Sequence, residues 1–183
     1  MSLHRPICDL LGCDVPILLA GMGGVSRWEL TAAVANAGGY GILGMVREDP
    51  DLIEREVRAL QAATHRRFAV NLIPAATEPG LLDRQIRRCL DLGVTDFSFF
   101  WDVMPEVIAR IKAAGGTVLH QVGTLRAALE AEAAGVDVLI SQGIEAGGHV
   151  HGRQGCFALL EQVVQATSLP VVATGGFSGG AGL

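Results

Sequence analysis

The sequence lacks the features that mark several protein classes, and the first of these is a basic patch. It contains no lysine- or arginine-rich run, and 14 Lys+Arg against 19 Asp+Glu give a formal net charge of -5. Proteins that bind the nucleic-acid backbone concentrate basic side chains on one face. The sequence therefore predicts no nucleic-acid partner.

Cysteine pairs and long apolar runs are also missing. The four cysteines form no C-x-x-C pair, and a chain of 183 residues with 50% hydrophobic residues can bury a core without disulfides. We therefore expect reduced thiols and a cytoplasmic setting. The early apolar stretch 15–25 is too short to cross a bilayer and is interrupted by Pro16 and three glycines. We predict neither a signal peptide nor a membrane helix.

Short apolar runs recur along the chain, and each is followed by a segment with helical periodicity. Continuous hydrophobicity is typical of strands in a parallel sheet that is covered on both faces. Seven runs are predicted as strands: 15–20, 40–44, 68–72, 95–100, 117–121, 137–142 and 170–174. Their regular spacing predicts an α/β fold, either a TIM (β/α)8-type barrel or a doubly wound sheet.

The intervening segments carry apolar residues at helical spacing. Two clear stripes are Ile53, Val57 and Leu60, and Leu82, Ile86 and Cys89. Helix starts are also marked, because Ser26 with Glu29 forms an S-x-x-E capping box and Asp49 precedes Pro50. Each stripe is expected to pack on the sheet.

A barrel of this kind would stop one βα unit short. The last predicted strand ends at residue 174, and the glycine-rich stretch 179–183 follows where the next helix would begin. We expect one domain over residues 1–183, truncated after the seventh strand, with an open edge that exposes unpaired backbone groups. A shortened form of a longer protein and a variant completed by another chain, such as a homo-oligomer, both stay open.

The residues that follow the predicted strands are rich in glycine and side-chain amides. Glycine lets main-chain N–H groups approach a flat ring or a phosphate, and carboxamides both donate and accept hydrogen bonds. These segments are 20–24, 44–45, 71, 101–102, 120–121, 142–152 and 174–178. Their recurrence at one edge of a parallel sheet predicts a cofactor site there.

Several other sites are excluded by context. The G-x-G-x-x-G match at 39–44 runs through a predicted strand instead of leading into a helix, so it is not a dinucleotide fingerprint. The sequence has no P-loop and no H-E-x-x-H, and His149 with His151 lacks a convincing third ligand. We therefore predict no metal site.

His149 is the strongest candidate for proton transfer. Imidazole titrates near neutral pH, and the neighbouring glycines would leave this ring accessible. An exposed loop histidine without a role is the alternative, and His151 keeps the assignment open. Glu145 either orients His149 or is solvated, and Trp101 is a candidate wall for the substrate.

Four segments together resemble the nitronate monooxygenase family, formerly called 2-nitropropane dioxygenases. They are residues 21–26, 68–72, 142–149 and 173–177. The second reads F-A-V-N-L and the third Q-G-I-E-A-G-G-H, which is the most specific of the four. Their order and spacing cover nearly the whole chain.

The resemblance implies a TIM barrel that holds FMN at its carboxyl-terminal face and oxidises a nitroalkane or nitronate with O2 to a carbonyl compound and nitrite. It implies His149 as the catalytic base. The FMN contacts it implies are Gly21, Met22, Asn71, Gln121, Gln142, Gly147, Gly148, Gly175 and Gly176. An FMN-dependent enoyl-acyl-carrier-protein reductase and a non-catalytic truncated barrel are the alternatives.

Overall fold

Helices and parallel strands alternate along the chain in a computed structural model that describes residues 3–177 and 179–180. The helices are α1 (Pro6–Leu11), α2 (Trp28–Asn36), α3 (Pro50–Ala63), α4 (Pro79–Asp91), α5 (Pro105–Ala113), α6 (Leu125–Ala133) and α7 (Cys156–Ala166), with a 3-10 turn at Pro74–Ala76. The strands are β1 (Gly41–Gly44), β2 (Phe68–Leu72), β3 (Asp96–Phe100), β4 (Val118–Val122), β5 (Val138–Gln142) and β6 (Val171–Thr174). The predicted α/β repeat of the TIM-barrel type is confirmed.

The described residues form two units, and the chain passes from one to the other within β3. Unit 1 comprises the residues up to Ser98 together with Ala114–Gly116, and unit 2 comprises Phe99–Ala113 and the residues from Thr117 onward. Unit 1 therefore holds β1, β2 and the start of β3, and unit 2 holds the end of β3 with β4, β5 and β6.

Within each unit the strands lie side by side in chain order. In unit 1, β1 pairs with β2 in parallel and Gly44 is opposite Asn71. In unit 2, β4, β5 and β6 are parallel, with Gln121 opposite Ile140 and Gln142 opposite Thr174. Parallel pairing brings the carboxyl ends of neighbouring strands to the same edge, which is where the glycines and amides follow.

The first predicted strand, 15–20, is wrong. This segment makes one parallel bridge, Leu18 to Tyr40, and no named strand. The physical reason is Pro16, which has no N–H for a ladder, and the main chain bends around it through an Ile17 N–H bond to the Val15 carbonyl. The described residues therefore form six named strands.

The predicted helical stripes are confirmed in unit 1. Ile53, Val57 and Leu60 of α3 have no exposed surface, and the inner face of α4 buries Leu82, Ile86 and Cys89. Burying a side chain of this size contributes about 2 kcal/mol. All four cysteines are buried free thiols.

The predicted helix starts have different outcomes. Asp49 caps α3, because its carboxylate accepts the N–H of Asp51 at 2.9 Å. The capping box at Ser26 is wrong, since α2 begins after Arg27 without a side-chain cap and Ser26 bonds to the preceding loop instead.

A buried polar network lies at the start of β1 and β3. Asp96 is 2% exposed, and its carboxylate accepts the Tyr40 hydroxyl at 2.8 Å and an Arg67 nitrogen at 2.7 Å. Burial, and then the nearby charge of Asp96, raise the pKa of Tyr40 well above its ordinary value. The hydroxyl therefore stays protonated and donates to Asp96.

The described helices are all too short or too polar to cross a membrane.

Candidate functional site

In unit 1, Asn71 is the central polar residue at the carboxyl ends of the strands. Its Nδ2 donates to the Ser98 carbonyl at 3.0 Å, and its main-chain carbonyl accepts the N–H of Met45 at 3.0 Å. Because Nδ2 must face a carbonyl, Oδ1 points the other way. Oδ1 is buried without a hydrogen-bond partner among the described residues.

Gly21 lies beside this amide, and Met22 lies beside Gly44 on the neighbouring strand. A Cβ added at Gly21 would overlap the side chain of Asn71, and one added at Gly44 would overlap the main chain of Met22. Close backbone packing around Asn71 is thus a reason for both glycines. The Met22 side chain is 40% exposed, so it is available to a ligand. Unit 1 therefore places Gly21 against Asn71, and Met22 against Gly44, the residue opposite Asn71 in the sheet.

Ser26 holds this loop and was missed as a site residue. Its buried hydroxyl donates to the Ala20 carbonyl at 2.7 Å and accepts the N–H of Met22 at 3.2 Å, while its own carbonyl accepts the N–H of Gly44 at 2.9 Å. In the sequence, a serine two residues before a helix is typical of an N-terminal cap. The role of Ser26 in the loop depends on the path of the main chain, so only the structure could show it.

In unit 2, Gln142 and the loop that follows it form the corresponding cluster. Gln142 donates from Nε2 to the main-chain carbonyl of His149 at 2.9 Å, and its Oε1 is buried with no partner among the described residues. The loop returns to its start through an Ile144 N–H bond to the Gln154 carbonyl at 3.0 Å. Gln142 thus fixes the main chain that carries His149.

Glu145 has a role that neither sequence interpretation included. Its carboxylate accepts the N–H of Cys156, the first residue of α7, at 2.9 Å. A carboxylate is favourable at a helix N-terminus, where main-chain N–H groups lack partners. Glu145 therefore caps α7 and fastens the loop.

The glycines of this cluster divide into packed and open positions. Gly175 and Gly176 have φ values of 111° and 82°, and a Cβ at Gly175 would lie 3.1 Å from the Ala146 nitrogen. Gly147 and Gly148 face open space. Unit 2 therefore places Gly175 and Gly176 against the base of the Gln142 loop, with Gly147 and Gly148 at its accessible part.

Gln121 lies on β4, the strand that pairs with β5, and no contact among the described residues places it in the Gln142 cluster. It lies on β4 in register with Ile140, and its side chain is half-buried. Its assignment to a ligand stays a prediction.

An aromatic ring contacts the candidate base in unit 2. The rings of Trp101 and His149 meet edge to face, with centroids 5.5 Å apart and planes at 82°. Trp101 also stacks on Phe100, with centroids 4.9 Å apart, and Phe100 meets the ring of His151 at 6.4 Å. The contact between residues 101 and 149 was not foreseen from the sequence.

A comparison with known families decides the relationship. The sequence matches the family model for nitronate monooxygenase over residues 4–80 and 74–183. The chain belongs to the nitronate monooxygenase family. The expectation from the four sequence segments is confirmed.

Curated relatives of this chain carry two kinds of name. A Mycobacterium tuberculosis protein named (3aS,4S,5R,7aS)-5-hydroxy-7a-methyl-1-oxo-octahydro-1H-indene-4-carboxyl-CoA dehydrogenase is 37% identical, over 100% of this chain and 51% of its own length. A nitronate monooxygenase of Paraburkholderia phytofirmans is 33% identical, over 98% of this chain and 61% of its own length. The chain thus spans about half to three-fifths of these two relatives.

Solved structures similar to this chain also carry two kinds of name. FabK of Thermotoga maritima superposes with a TM-score of 0.92 at 32% identity, over 99% of this chain and 57% of FabK. A nitroalkane oxidase from Streptomyces ansochromogenes superposes with a TM-score of 0.80 at 32% identity, over 91% of this chain and 59% of its own.

This member of the nitronate monooxygenase family has no cluster of three or more His, Cys, Asp or Glu side chains suited to a metal ion within its described residues.

His120, in unit 2, is a histidine with a strongly shifted pKa. It lies in β4 with 0% exposure, and neither ring nitrogen has a hydrogen-bond partner among the described residues. Burial lowers its pKa from 6.5 to about 4, although the main chain of Trp101 and the charge of Asp102 act in the opposite direction. His120 is therefore neutral in the folded protein at neutral pH.

This buried imidazole is expected to make stability depend on pH. Between pH 6.5 and about 4 the unfolded state binds a proton that the folded state excludes, so the free energy of unfolding falls as the pH drops. His120→Leu removes this proton uptake. From about pH 7 to about pH 5, wild type should lose about 2 kcal/mol more than the variant in urea denaturation.

The exposed His65 provides the control for this measurement. His65→Leu should keep the pH dependence of wild type. The same pH dependence in wild type and His120→Leu would show that His120 does not exclude a proton on folding.

Proposed function

We propose that this chain belongs to an FMN-dependent oxidoreductase that oxidises nitronates and nitroalkanes with O2 to a carbonyl compound and nitrite. The observation that carries the proposal is the placement of His149. Its imidazole is exposed on a glycine-rich loop, and its main chain is held by the buried Gln142. This arrangement leaves a base accessible while fixing the backbone beneath it.

The polar groups of the chain fit FMN. Asn71 in unit 1 and Gln142 in unit 2 each offer a buried carboxamide oxygen without a partner among the described residues. An unpaired buried acceptor is costly, and the ring N–H of a flavin is a donor that could pair with such an oxygen. Main-chain groups at Gly147 and Gly148 are open to a ligand.

The residues proposed to hold FMN are those assigned by the family resemblance: Gly21, Met22, Asn71, Gln121, Gln142, Gly147, Gly148, Gly175 and Gly176. Gly175 and Gly176 follow β6 and are suited to the phosphate, which in TIM barrels binds near the last strands. Bound FMN would supply the redox chemistry that no side chain provides.

The protein's own part in the reaction is proton transfer and positioning. His149 removes the proton from the carbon that bears the nitro group of a neutral nitroalkane. A preformed nitronate has already lost that proton, so it needs His149 less. Trp101, which stacks on Phe100, places apolar surface beside the exposed imidazole.

A second candidate is oxidoreduction of an acyl thioester. The Mycobacterium tuberculosis relative is named a carboxyl-CoA dehydrogenase, as is a Rhodococcus jostii relative at 35% identity. A reductase that takes electrons from NAD(P)H to reduce a thioester-linked enoyl chain is the form of this chemistry expected from the sequence.

One spectroscopic experiment separates these functions. The purified protein is incubated with FMN and dialysed, its visible spectrum is recorded, and ethylnitronate or NADH is then added anaerobically to separate samples. Bleaching by ethylnitronate, with nitrite released on admitting O2, is the expected result. Rapid bleaching by NADH without nitronate turnover would favour the thioester reductase, and a colourless protein would contradict both functions.

A cytoplasmic setting and a homo-oligomeric assembly stay predictions from the sequence.

A further inference from the structure

Trp101 has a backbone conformation that its residue type disfavours. Its φ is 71°, in the left-handed region, where the described non-glycine residues are Trp101 and Arg47. A bulky side chain in this region costs free energy that glycine would not. A turn that needed only this backbone shape would be met by glycine, so the indole itself must account for tryptophan here.

The indole lies between a buried ring and the candidate base. On one side it stacks on Phe100, which is 5% exposed, with centroids 4.9 Å apart and planes at 25°. On another side it meets the imidazole of His149 edge to face at 5.5 Å. Phe100 is the last residue of β3. By stacking on Phe100, the indole of Trp101 is anchored to the end of this strand.

Within the described part of the chain, the indole of Trp101 is the specific partner of the His149 imidazole. Among the described residues, no hydrogen bond or ion pair holds either of its ring nitrogens, and the bond from Gln142 reaches only its main-chain carbonyl. Catalytic histidines are commonly oriented by a hydrogen-bonded third group. Here the contact that the described residues make with the imidazole is the edge-to-face contact with Trp101.

We propose that Trp101 is a positioning residue for His149. The left-handed turn at the end of β3 presents the indole so that it holds the imidazole edge to face, in place of a hydrogen-bonding carboxylate or carbonyl. This role rests on the proposed function of His149 as a base. Edge-to-face contacts between aromatic rings are favourable and directional, so they can orient a side chain.

The contact itself can be tested without any activity. The chain has two tryptophans, so Trp28→Phe leaves Trp101 as its single indole. A protonated imidazole in contact with an indole quenches its fluorescence. In flavin-free Trp28→Phe, emission should therefore be lower when His149 is protonated than when it is neutral, and an acid titration of the emission measures this difference.

Matched variants identify the group that quenches. Other titratable groups near Trp101 are Asp102, which follows it, His120, whose ring lies near its main chain, and His151, which meets Phe100. His149→Gln in the Trp28→Phe background should abolish the fall in emission, and His151→Gln should retain it. A fall that is absent, or that persists without His149, overturns the proposal.

Kinetics then test whether the contact positions the base. Trp101→Leu should lower kcat for nitroethane at least tenfold with little change in KM, and turnover of ethylnitronate should fall much less. Trp101→Phe keeps a ring and should recover most of the activity, and Trp28→Phe should match wild type. Equal kcat for nitroethane in Trp101→Leu and wild type overturns the positioning role, as does an equal loss with both substrates.

The fluorescence titration and the kinetics distinguish failure of this proposal from failure of the proposed function. If wild type turns over no nitroalkane, the proposed function fails and the fluorescence titration still decides whether Trp101 holds His149. If wild type is active but the titration shows no contact, only the role of Trp101 fails.

Discussion

His149→Ala is expected to lower kcat for a neutral nitroalkane by about 10²–10⁴-fold, the usual contribution of a positioned general base. The loss with a preformed nitronate should be smaller, because that substrate needs no deprotonation. FMN should remain bound, since Gln142 contacts the main-chain carbonyl of residue 149 and not its imidazole. Steady-state nitrite release from nitroethane and ethylnitronate measures both effects, and the visible spectrum reports the flavin.

The control is His151→Ala, which changes the other histidine of the same loop. Its ring meets Phe100 and lies two residues away along an exposed segment. It should keep most of the activity with both substrates. If His149→Ala turned over nitroethane as fast as wild type, proton removal would have to be assigned to another group.

Asp96→Asn is expected to cause the largest loss of stability, about 3 kcal/mol in the free energy of unfolding. The carboxylate is almost completely buried and accepts bonds from Tyr40 and Arg67. An amide in its place loses the charge that pairs with Arg67 and turns one acceptor into a donor group, which faces the Tyr40 hydroxyl or the guanidinium. Chemical denaturation at neutral pH measures the change.

The comparison variant is Asp14→Asn. Asp14 also pairs with an arginine, Arg66, at 2.7 Å, but both side chains are largely exposed. Exposed pairs contribute about 0–1 kcal/mol, so this variant should stay close to wild type. Similar losses in the two variants would mean that burial does not control the strength of these pairs.

Most of the helices and strands could be predicted from local residue patterns in the sequence. The periodic stripes of α3 and α4 and the cap at Asp49 were readable because each depends on residues within a few positions of one another. Six of the seven predicted strands formed for the same reason. The exception, 15–20, has the apolar composition of a strand, but Pro16 interrupts the hydrogen bonding that a strand requires.

Part of the candidate site was also readable. Glycines and carboxamides after successive parallel strands predicted where a cofactor would bind, because parallel strands all end at one edge. Asn71 and Gln142 each have a buried side-chain oxygen without a partner among the described residues. Their contact with FMN stays a prediction.

The sequence by itself determined the family, the alternation of strands and helices, and the residue types at the strand ends. Only the tertiary structure decided what each side chain contacts: Ser26 holds a loop, Glu145 caps α7, and Trp101 meets a histidine 48 positions further along the chain. Composition and periodicity describe neighbours along the chain. Contacts between distant residues depend on strand register and on the path of each loop, which arise only when the elements pack together.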